Sequence, residues 1–318
     1  MDRKTIAASA VLVGLCLPAS AHAEVLTVEG LTPANEPEFA LVDTLAIDRF
    51  GGSDGQNLAF ELEDRLSNVT VFNQPYFDVI GGRSAIEPDA TLSGNVTVGI
   101  DQYETTANRN RCVQRDEKDK CTKRKDIKVD CLRRVVDFRA QVRAVRFADG
   151  RNIYAETFPK KDEQTICFGD DQEFSASEGV IRKMVADTAR EVRSDLAPRE
   201  YRREIRVLES RKGMSKVEGK FFKAAVKMTK RDETESCRMW DEAGTNGQVH
   251  VSLAFNRGLC AERSGDLQGA LSYYGEAQSL APKKFEVKEA IKRVTRHQQA
   301  LDDWETRQPV SSDRKDRK

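Results

Sequence analysis

Residues 136–157 read VDFRAQVRAVRFADGRNIYAET, and this stretch has the clearest structural pattern in the chain. From Val136 to Ala144, apolar side chains occupy every second position and polar or charged ones lie between them. That period of two is typical of a strand with one buried face. Asp149-Gly150 is a strong hairpin turn signal, and Ile153 opens a returning strand. The stretch therefore predicts an antiparallel hairpin with one face in a core.

The surrounding sequence places this hairpin in an α/β domain. Leu58, Leu62 and Leu66 recur every four residues, which predicts an amphipathic helix. We expect, in chain order, a strand at 42–50, this helix at 56–68, strands at 77–80 and 92–103, the hairpin, and a helix from 180 to Pro198. The pattern predicts a domain over residues 41–198, preceded by a linker at 24–40.

Three short segments of this domain carry a resemblance to a known family. They are the strand and Gly-rich loop Leu45–Gly52, the segment Phe77–Ile80, and the strand Asp89–Val98. Together they resemble the amino-terminal domain of TolB and of curli-secretion (CsgG-type) proteins. The resemblance implies an α/β structural or assembly module. Residues 104–128 depart from it, and we interpret them as a charged, cysteine-bearing excursion.

The C-terminal part contains two segments that echo each other at a spacing of 34 positions. Small residues and large aromatic residues recur at matching places, and Gly265-Asp266 provides a turn. We expect the small residues to allow close helix approach and the aromatic residues to fill the gap between helices. The predicted packing residues are Ala224, Trp240, Ala243, Gly258, Ala270, Tyr274 and Ala277, with Pro282 ending the second copy.

This period resembles the tetratricopeptide repeat, a helix-turn-helix unit, with an unrelated helical hairpin as the alternative. The resemblance implies two repeats over residues 216–282, capped by a helix at 283–306, with a groove for a partner polypeptide. Lysines would attract an extended, acidic segment or a C-terminal carboxylate, and an Asn would hydrogen-bond the partner's backbone. The alternative is that these lysines are merely solvated. The candidate groove residues are Lys216, Lys220, Phe221, Lys223, Lys227, Asn256 and Arg257.

The N-terminus predicts export. A basic start at Met1–Lys4, an apolar stretch at Ile6–Leu17 and the small-x-small site Ala21-His22-Ala23 are typical of a secretory signal cleaved after Ala23. Cys16 suggests a lipoprotein, but Leu15 stands where a small residue is normally needed. We expect a periplasmic protein without an integral membrane span, and association with the outer membrane stays open.

Charge in the chain after Ala23 is nearly balanced overall but clustered locally. Removing Asp2, Arg3 and Lys4 leaves 50 basic and 51 acidic residues. Arg111–Arg134 nevertheless carries ten basic and five acidic residues, and Arg199–Arg231 carries twelve and four. Both stretches are either solvated surface, the second including a linker at 199–215, or sites for an anionic envelope component. We expect no nucleic-acid partner, because aromatic residues are not interleaved among these charges.

Six cysteines remain after Ala23, and an even number in an exported chain favours disulfides. Cys131 and Cys167 lie equally far from Asp149, one before it and one after it, so they should face each other across the hairpin. Zinc is the rival interpretation, although no Cys-x-x-Cys occurs. The predicted pairs are Cys131–Cys167, Cys112–Cys121 and Cys237–Cys260.

Catalytic equipment is scarce. Only His250 and His297 follow the predicted signal, and neither lies in a hydrolase or metalloprotease motif. We predict no enzyme, cofactor or metal, and a disordered tail at 307–318. The predicted fold class is α+β, a mixed α/β sandwich with an antiparallel hairpin, followed by an all-α tetratricopeptide-repeat domain. The predicted function is an envelope scaffold or assembly factor that binds a partner polypeptide. A small-molecule or glycan sensor using the α/β domain is the alternative, and a carboxylate-based enzyme comes third.

Overall fold

The structure is a computed structural model that describes residues 24–81, 84, 86–247 and 249–307. The predicted signal peptide and the predicted tail beyond residue 307 lie outside these residues. The strands are β1 Val25–Thr32, β2 Thr44–Gly51, β3 Thr70–Val71, β4 Gln74–Pro75, β5 Asp78–Gly81, β6 Ala90–Arg115, β7 Cys121–Arg146, β8 Asn152–Cys167 and β9 Arg199–Arg206. The helices are α1 Gly55–Ser67, α2 Ser177–Leu196, α3 Lys216–Met228, α4 Glu233–Thr245, α5 Val251–Arg263, α6 Leu267–Leu280 and α7 Phe285–Arg307, with a 3-10 turn at Pro37–Leu41.

The main sheet has five strands in the order β5-β2-β6-β7-β8. Strand β2 runs parallel to both β5 and β6, whereas β6, β7 and β8 are antiparallel neighbours. The apolar positions from Val136 to Ala144 are buried, as their alternation predicts. Side chains of α1 and α2 join them in one hydrophobic core, including Leu58, Leu62 and Val192. One face of the sheet is thus covered by these two helices.

Strands β6 and β7 continue far beyond their neighbours. Strand β8 pairs with β7 only from Asn152 to Cys167, where Cys167 lies opposite Cys131. Beyond that point β6 and β7 pair with each other alone, as far as Arg115 opposite Cys121. We call residues 105–130, the two strands and their turn, the arm. It extends roughly 35 Å at the usual rise per strand residue. The excursion expected at 104–128 is therefore mostly an ordered β-ribbon.

Both segments expected to be linkers contain strands. Strand β1 lies in 24–40 and β9 in 199–215, and the two form a separate two-stranded sheet. The sequence of β9, REYRREIR, shows no apolar alternation, and none of its residues is buried. Its partner strand lies far away in the chain, so the pairing gives no local signal. Propensity alone therefore could not distinguish β9 from a basic linker.

The predicted fold class is wrong in its C-terminal part. The chain is a mixed α/β protein with a large sheet in its N-terminal half and helices in its C-terminal half, without a clear all-α tetratricopeptide domain. The chain has two compact units. The helical unit comprises residues 203–288 with a short N-terminal segment to Val28, and the sheet unit comprises 29–202 with the chain from 289 onward. The first unit thus includes strand residues as well as α3 to α6.

The predicted capping helix explains part of this difference. Most of α7 belongs with the sheet unit, because Ala300 and Trp304 pack against the hydrophobic core of that unit. Arg307 ends the helix with its side chain 4% exposed and donates hydrogen bonds to the carbonyl oxygens of Phe39, Ala40 and Val42. It also pairs with Asp43 at 2.9 Å and lies over the Tyr76 ring.

No described helix is long and apolar enough to cross a membrane.

Candidate interaction surfaces

Helix α3 has one buried face and one charged face. It begins with a capping box in which Ser215 and Glu218 bond each other's backbone N–H, a common start for a helix. The Ser215 N–H accordingly holds the pKa of the Glu218 carboxyl below its usual range. Phe222 and Val226 are buried against the rest of the helical unit. The exposed side carries a lysine stripe at Lys216, Lys220, Lys223 and Lys227, whose spacing places all four on one helix face.

An apolar row lies beside this stripe. Val217 is 80% exposed, Ala224 is exposed, and Phe221 and Met228 between and after them are half-buried. These residues recur at the spacing of one helix face. Ala224, predicted to be a packing residue, therefore lies on the surface, and its neighbour Ala225 is buried instead. The repeat pattern misplaced this contact by one position.

Asn256 does not line an open groove. It is fully buried on α5, and its side chain accepts a hydrogen bond from the Leu208 N–H at 2.9 Å and donates one to the Leu208 carbonyl at 3.0 Å. The amide thus recognises an extended backbone, as expected for this residue type, but the backbone belongs to the same chain. The predicted role of Asn256 in partner capture is therefore wrong, because residue 208 already occupies its side chain.

Arg257 is engaged within the helical unit as well. Its guanidinium pairs with Asp241 at 3.1 Å, donates to the Tyr273 hydroxyl at 2.8 Å and lies 4.2 Å from the centre of that ring. A stacked, ion-paired Arg is held in one geometry. Of the candidate groove residues, the lysines and Phe221 therefore remain on the surface.

The remaining predicted packing residues lie inside, apart from Pro282, which is exposed just after α6. Tyr274 is fully buried and its hydroxyl donates to Glu262 at 2.7 Å. A Cβ at Gly258 would approach the Tyr274 ring to 2.5 Å, so glycine is required there by contact. The buried members are Trp240, Ala243, Gly258, Ala270, Tyr274 and Ala277.

The structure contains the three predicted disulfides, Cys112–Cys121, Cys131–Cys167 and Cys237–Cys260. Such bridges are typical of an exported protein. The first lies near the tip of the arm, and the second lies at its base. Within the described ranges, no group of three or more His, Cys, Asp or Glu side chains could hold a metal ion.

The two histidines have structural surroundings. His250 is the N-cap of α5, where its Nδ1 accepts from the Ser252 N–H at 3.0 Å, while its Nε2 lies 3.2 Å from the Lys212 carbonyl. His297 is 9% exposed and borders a cleft of about 610 Å³ in the sheet unit. The cleft is lined by Glu29, Gly30, Leu31, Phe72, Glu200, Tyr201, Arg202 and His297.

Phe72 stands out in this cleft and was not singled out from the sequence. Its backbone φ of 51° lies in the left-handed region, which is an outlier for a bulky residue. The side chain is 54% exposed. The Glu200 carboxylate accepts a hydrogen bond from the Phe72 N–H at 3.1 Å, and the ring packs edge-on against Trp304 with centres 6.2 Å apart. Phe72 and Asn73 form the two-residue turn between β3 and β4, and both have positive φ. Asn73 is a usual residue of such a turn, whereas Phe72 is not.

Comparison with known proteins does not identify a family. No protein-family model matches the chain, and no curated protein matches it. Among solved structures, a putative neuraminyllactose-binding hemagglutinin homolog from Helicobacter pylori is 9% identical over 52% of this chain and 88% of its own, with a TM-score of 0.32. A PelC dodecamer from Paraburkholderia phytofirmans is 14% identical over 54% and 99%, with a TM-score of 0.25.

A minor lipoprotein from Acinetobacter baumannii is 12% identical over 47% of this chain and 88% of its own, with a TM-score of 0.21. Such low TM-scores carry no argument about this chain. The resemblance to the TolB amino-terminal and curli-secretion domains is not tested by these comparisons, and it stays a prediction.

Proposed function

We propose that this protein is a non-catalytic scaffold or assembly factor of the cell envelope, exported to the periplasm, that binds an acidic partner polypeptide along α3. The observation that carries the proposal is the lysine stripe of α3 next to its exposed apolar row. Together they form the face of α3 that lies opposite its buried residues Phe222 and Val226.

The charge of the stripe supports an acidic partner. Lys216, Lys220, Lys223 and Lys227 are exposed, and none of them forms an ion pair with any described residue. Four unpaired cations on one face create a local positive potential that steers an anionic partner and is weakened by salt. A structural role for these lysines would instead place carboxylates opposite them.

The apolar row supports a polypeptide rather than a free anion. Val217 and Phe221 provide a hydrophobic anchor, and Ala224 leaves room for the partner to approach closely. Interfaces commonly combine such an apolar centre with a charged rim. We expect the partner segment to present an apolar side chain to Val217 and carboxylates to the lysines.

Site-specific photo-crosslinking tests the proposal. A photoreactive amino acid replaces Val217 in the full chain, which is expressed in its own cells. We expect one protein adduct, which is lost when Lys220→Glu and Lys223→Glu are added and is retained with the matched arm variant Lys123→Glu with Lys125→Glu. Thermal unfolding of the purified variants checks that the charge changes leave the fold intact. The proposal fails if no protein adduct forms, or if the adduct survives reversal of the α3 charges.

Glycan or small-molecule binding is the second candidate function, and the Phe72 cleft favours it. An exposed aromatic ring beside carboxylates can stack on a sugar ring, and the carboxylates can accept hydrogen bonds from its hydroxyl groups. The strained backbone of Phe72 is the kind of feature that accompanies functional sites. Placing the photoreactive amino acid at Phe72 separates the two candidates: a saccharide adduct there, with no protein adduct at Val217, supports glycan binding.

A further inference from the structure

The arm contributes no residue to the hydrophobic core of the sheet unit. None of its residues, 105–130, is buried. Both of its edges lack a partner strand among the described residues, since β8 ends at Cys167 and β2 pairs with β6 only as far as Asn95. An isolated hairpin is marginal in water. The arm therefore adds no buried apolar surface to the core, and its side chains are free to serve another purpose.

The arm is strongly basic. It carries nine basic and five acidic residues, and only two of the nine, Arg111 and Arg115, form ion pairs with described residues. The remaining cations are concentrated on the turn and on β7. Six of them lie within eleven positions at Lys118, Lys120, Lys123, Arg124, Lys125 and Lys128, all exposed.

Covalent and polar contacts hold this charge in place. The Cys112–Cys121 bridge joins the strands near the tip, and Cys131–Cys167 joins the base to β8. Arg111 donates to the carbonyl oxygens of Phe168 and Gly169 and pairs with Asp170 at 2.6 Å. The Cys167 N–H and the Arg111 guanidinium hold the pKa of the Asp170 carboxyl below its usual range. The arm thus presents its cations from a preorganised ribbon.

Apolar side chains accompany the cations. Val113 is 47% exposed and Ile127 is 37% exposed, each within a few residues of several lysines or arginines. Basic residues with neighbouring apolar side chains are suited to an anionic lipid surface, where the cations contact headgroup phosphates and the apolar groups reach the interface.

We infer that the arm binds peripherally to an anionic lipid surface through phosphate-bearing headgroups. A two-stranded ribbon has no concavity to enclose a peptide, but it fits a flat, negatively charged surface. Pairing between the arms of two copies is opposed by their like charge. Addition of a partner strand to β7 is opposed by the lysines along that edge, which is a common protection of exposed strands.

This inference does not rest on the proposed function, because the arm and the α3 face share no residue.

The test uses the full chain from Glu24 and vesicles of phosphatidylcholine with or without phosphatidylglycerol. We expect sedimentation only with the anionic vesicles, and loss of binding at high salt because exposed charges are screened. The arm variant Lys123→Gln with Lys125→Gln removes two cations from the ribbon face that also carries Ile127. It should bind about twenty-fivefold more weakly, since each surface cation contributes roughly a factor of five.

The variant Lys183→Gln with Lys292→Gln is the matched control, because it removes the same charge from exposed positions outside both the arm and the α3 face. We expect it to bind vesicles like the native chain. Circular dichroism and counting of free thiols verify that both variants keep the fold and the disulfides. Equal binding to neutral vesicles, native binding by the arm variant, or arm-dependent capture by polyglutamate without vesicle binding would each overturn the inference.

Discussion

The same two strands, β6 and β7, form two regions that are stabilised in different ways. In the body of the sheet, they lie between other strands and place Val136, Phe138 and Ala140 in a core covered by α1 and α2. In the arm no described element covers them and none of their residues is buried, so they depend on their mutual hydrogen bonds and on disulfides. A strand can therefore continue past the end of a core where covalent bridges replace burial.

The largest expected contrast comes from deleting apolar side chains in the two regions. Leu62 in α1 is fully buried, and Leu62→Ala should lower the free energy of unfolding by about 2–5 kcal/mol. Ile127 in the arm is partly exposed and contacts no core. A substitution at such a surface position usually changes stability by no more than about 0.5 kcal/mol, and we expect the same of Ile127→Ala. Urea unfolding followed by circular dichroism measures both. Similar losses in the two variants would show that the arm contributes to the core after all.

The next largest contrast is expected between the disulfide at the base of the arm and the one near its tip, in the stability that each contributes. Cys131 and Cys167 close a loop with a sequence separation of 36. Replacing both with Ser should cost about 3–4 kcal/mol by the loop-entropy relation. Replacing Cys112 and Cys121 should cost about 1 kcal/mol or less, because the arm can then open without unfolding the body. Replacing Cys112 and Cys121 should instead appear as faster amide hydrogen exchange confined to residues 105–130. A large global loss from the second variant would mean that the arm and the body unfold together.

The smallest expected effect is a difference in the acid dependence of stability between the turn that joins β7 to β8 and the turn of the arm. The Arg146 guanidinium lowers the pKa of Asp149, at the body turn, to about 2 from an ordinary value of 3.8. A lowered pKa in the folded state adds stability above the ordinary value, and this contribution is lost as pH falls from about 4 to 2. Asp149→Asn should therefore flatten the profile of stability against pH in that window.

The matched control for this pH effect lies at the arm turn. Asp119 pairs there with Arg115, but its side chain is 85% exposed, and such solvated pairs contribute little to stability. Asp119→Asn should leave the profile close to that of the native chain. Acid titrations of both variants, followed by circular dichroism, give the comparison, and an equal change in the two would contradict the assignment to Asp149.

Local pattern was sufficient for the elements that have a buried face. The alternation around Val142 predicted the hairpin, the leucine spacing predicted α1, and equal distances from Asp149 predicted the Cys131–Cys167 pair.

The residues that β8 buries follow less directly from the sequence pattern. The register shifts between Ala144 and Val145, as it does at a bulge. Strict alternation from Ile153 would bury every second residue after it. Tyr154 and Phe158, which lie at the intervening positions, are buried instead.

Two of the failures share a physical cause, which is that the deciding partner is distant in the chain. Strand β9 pairs with β1, and Asn256 binds the backbone of Leu208. The arm was missed for a different reason, since a ribbon wet on both faces has no hydrophobic period to detect. Of the candidate site, the α3 lysines were found by their charge. The exposed row at Val217 was missed, because exposure cannot be read without knowing which face of α3 is buried.

Arg307 has a consequence for the timing of folding. Its guanidinium bonds the Val42 carbonyl across 265 positions of the chain, and it also occupies the carbonyls of Phe39 and Ala40. These three acceptors are synthesised 265 to 268 residues before their donor. The sheet unit therefore cannot reach its final state until Arg307 has emerged, whether from a ribosome or from a translocation channel. A chain that stops before Arg307 would leave this unit permanently unfinished.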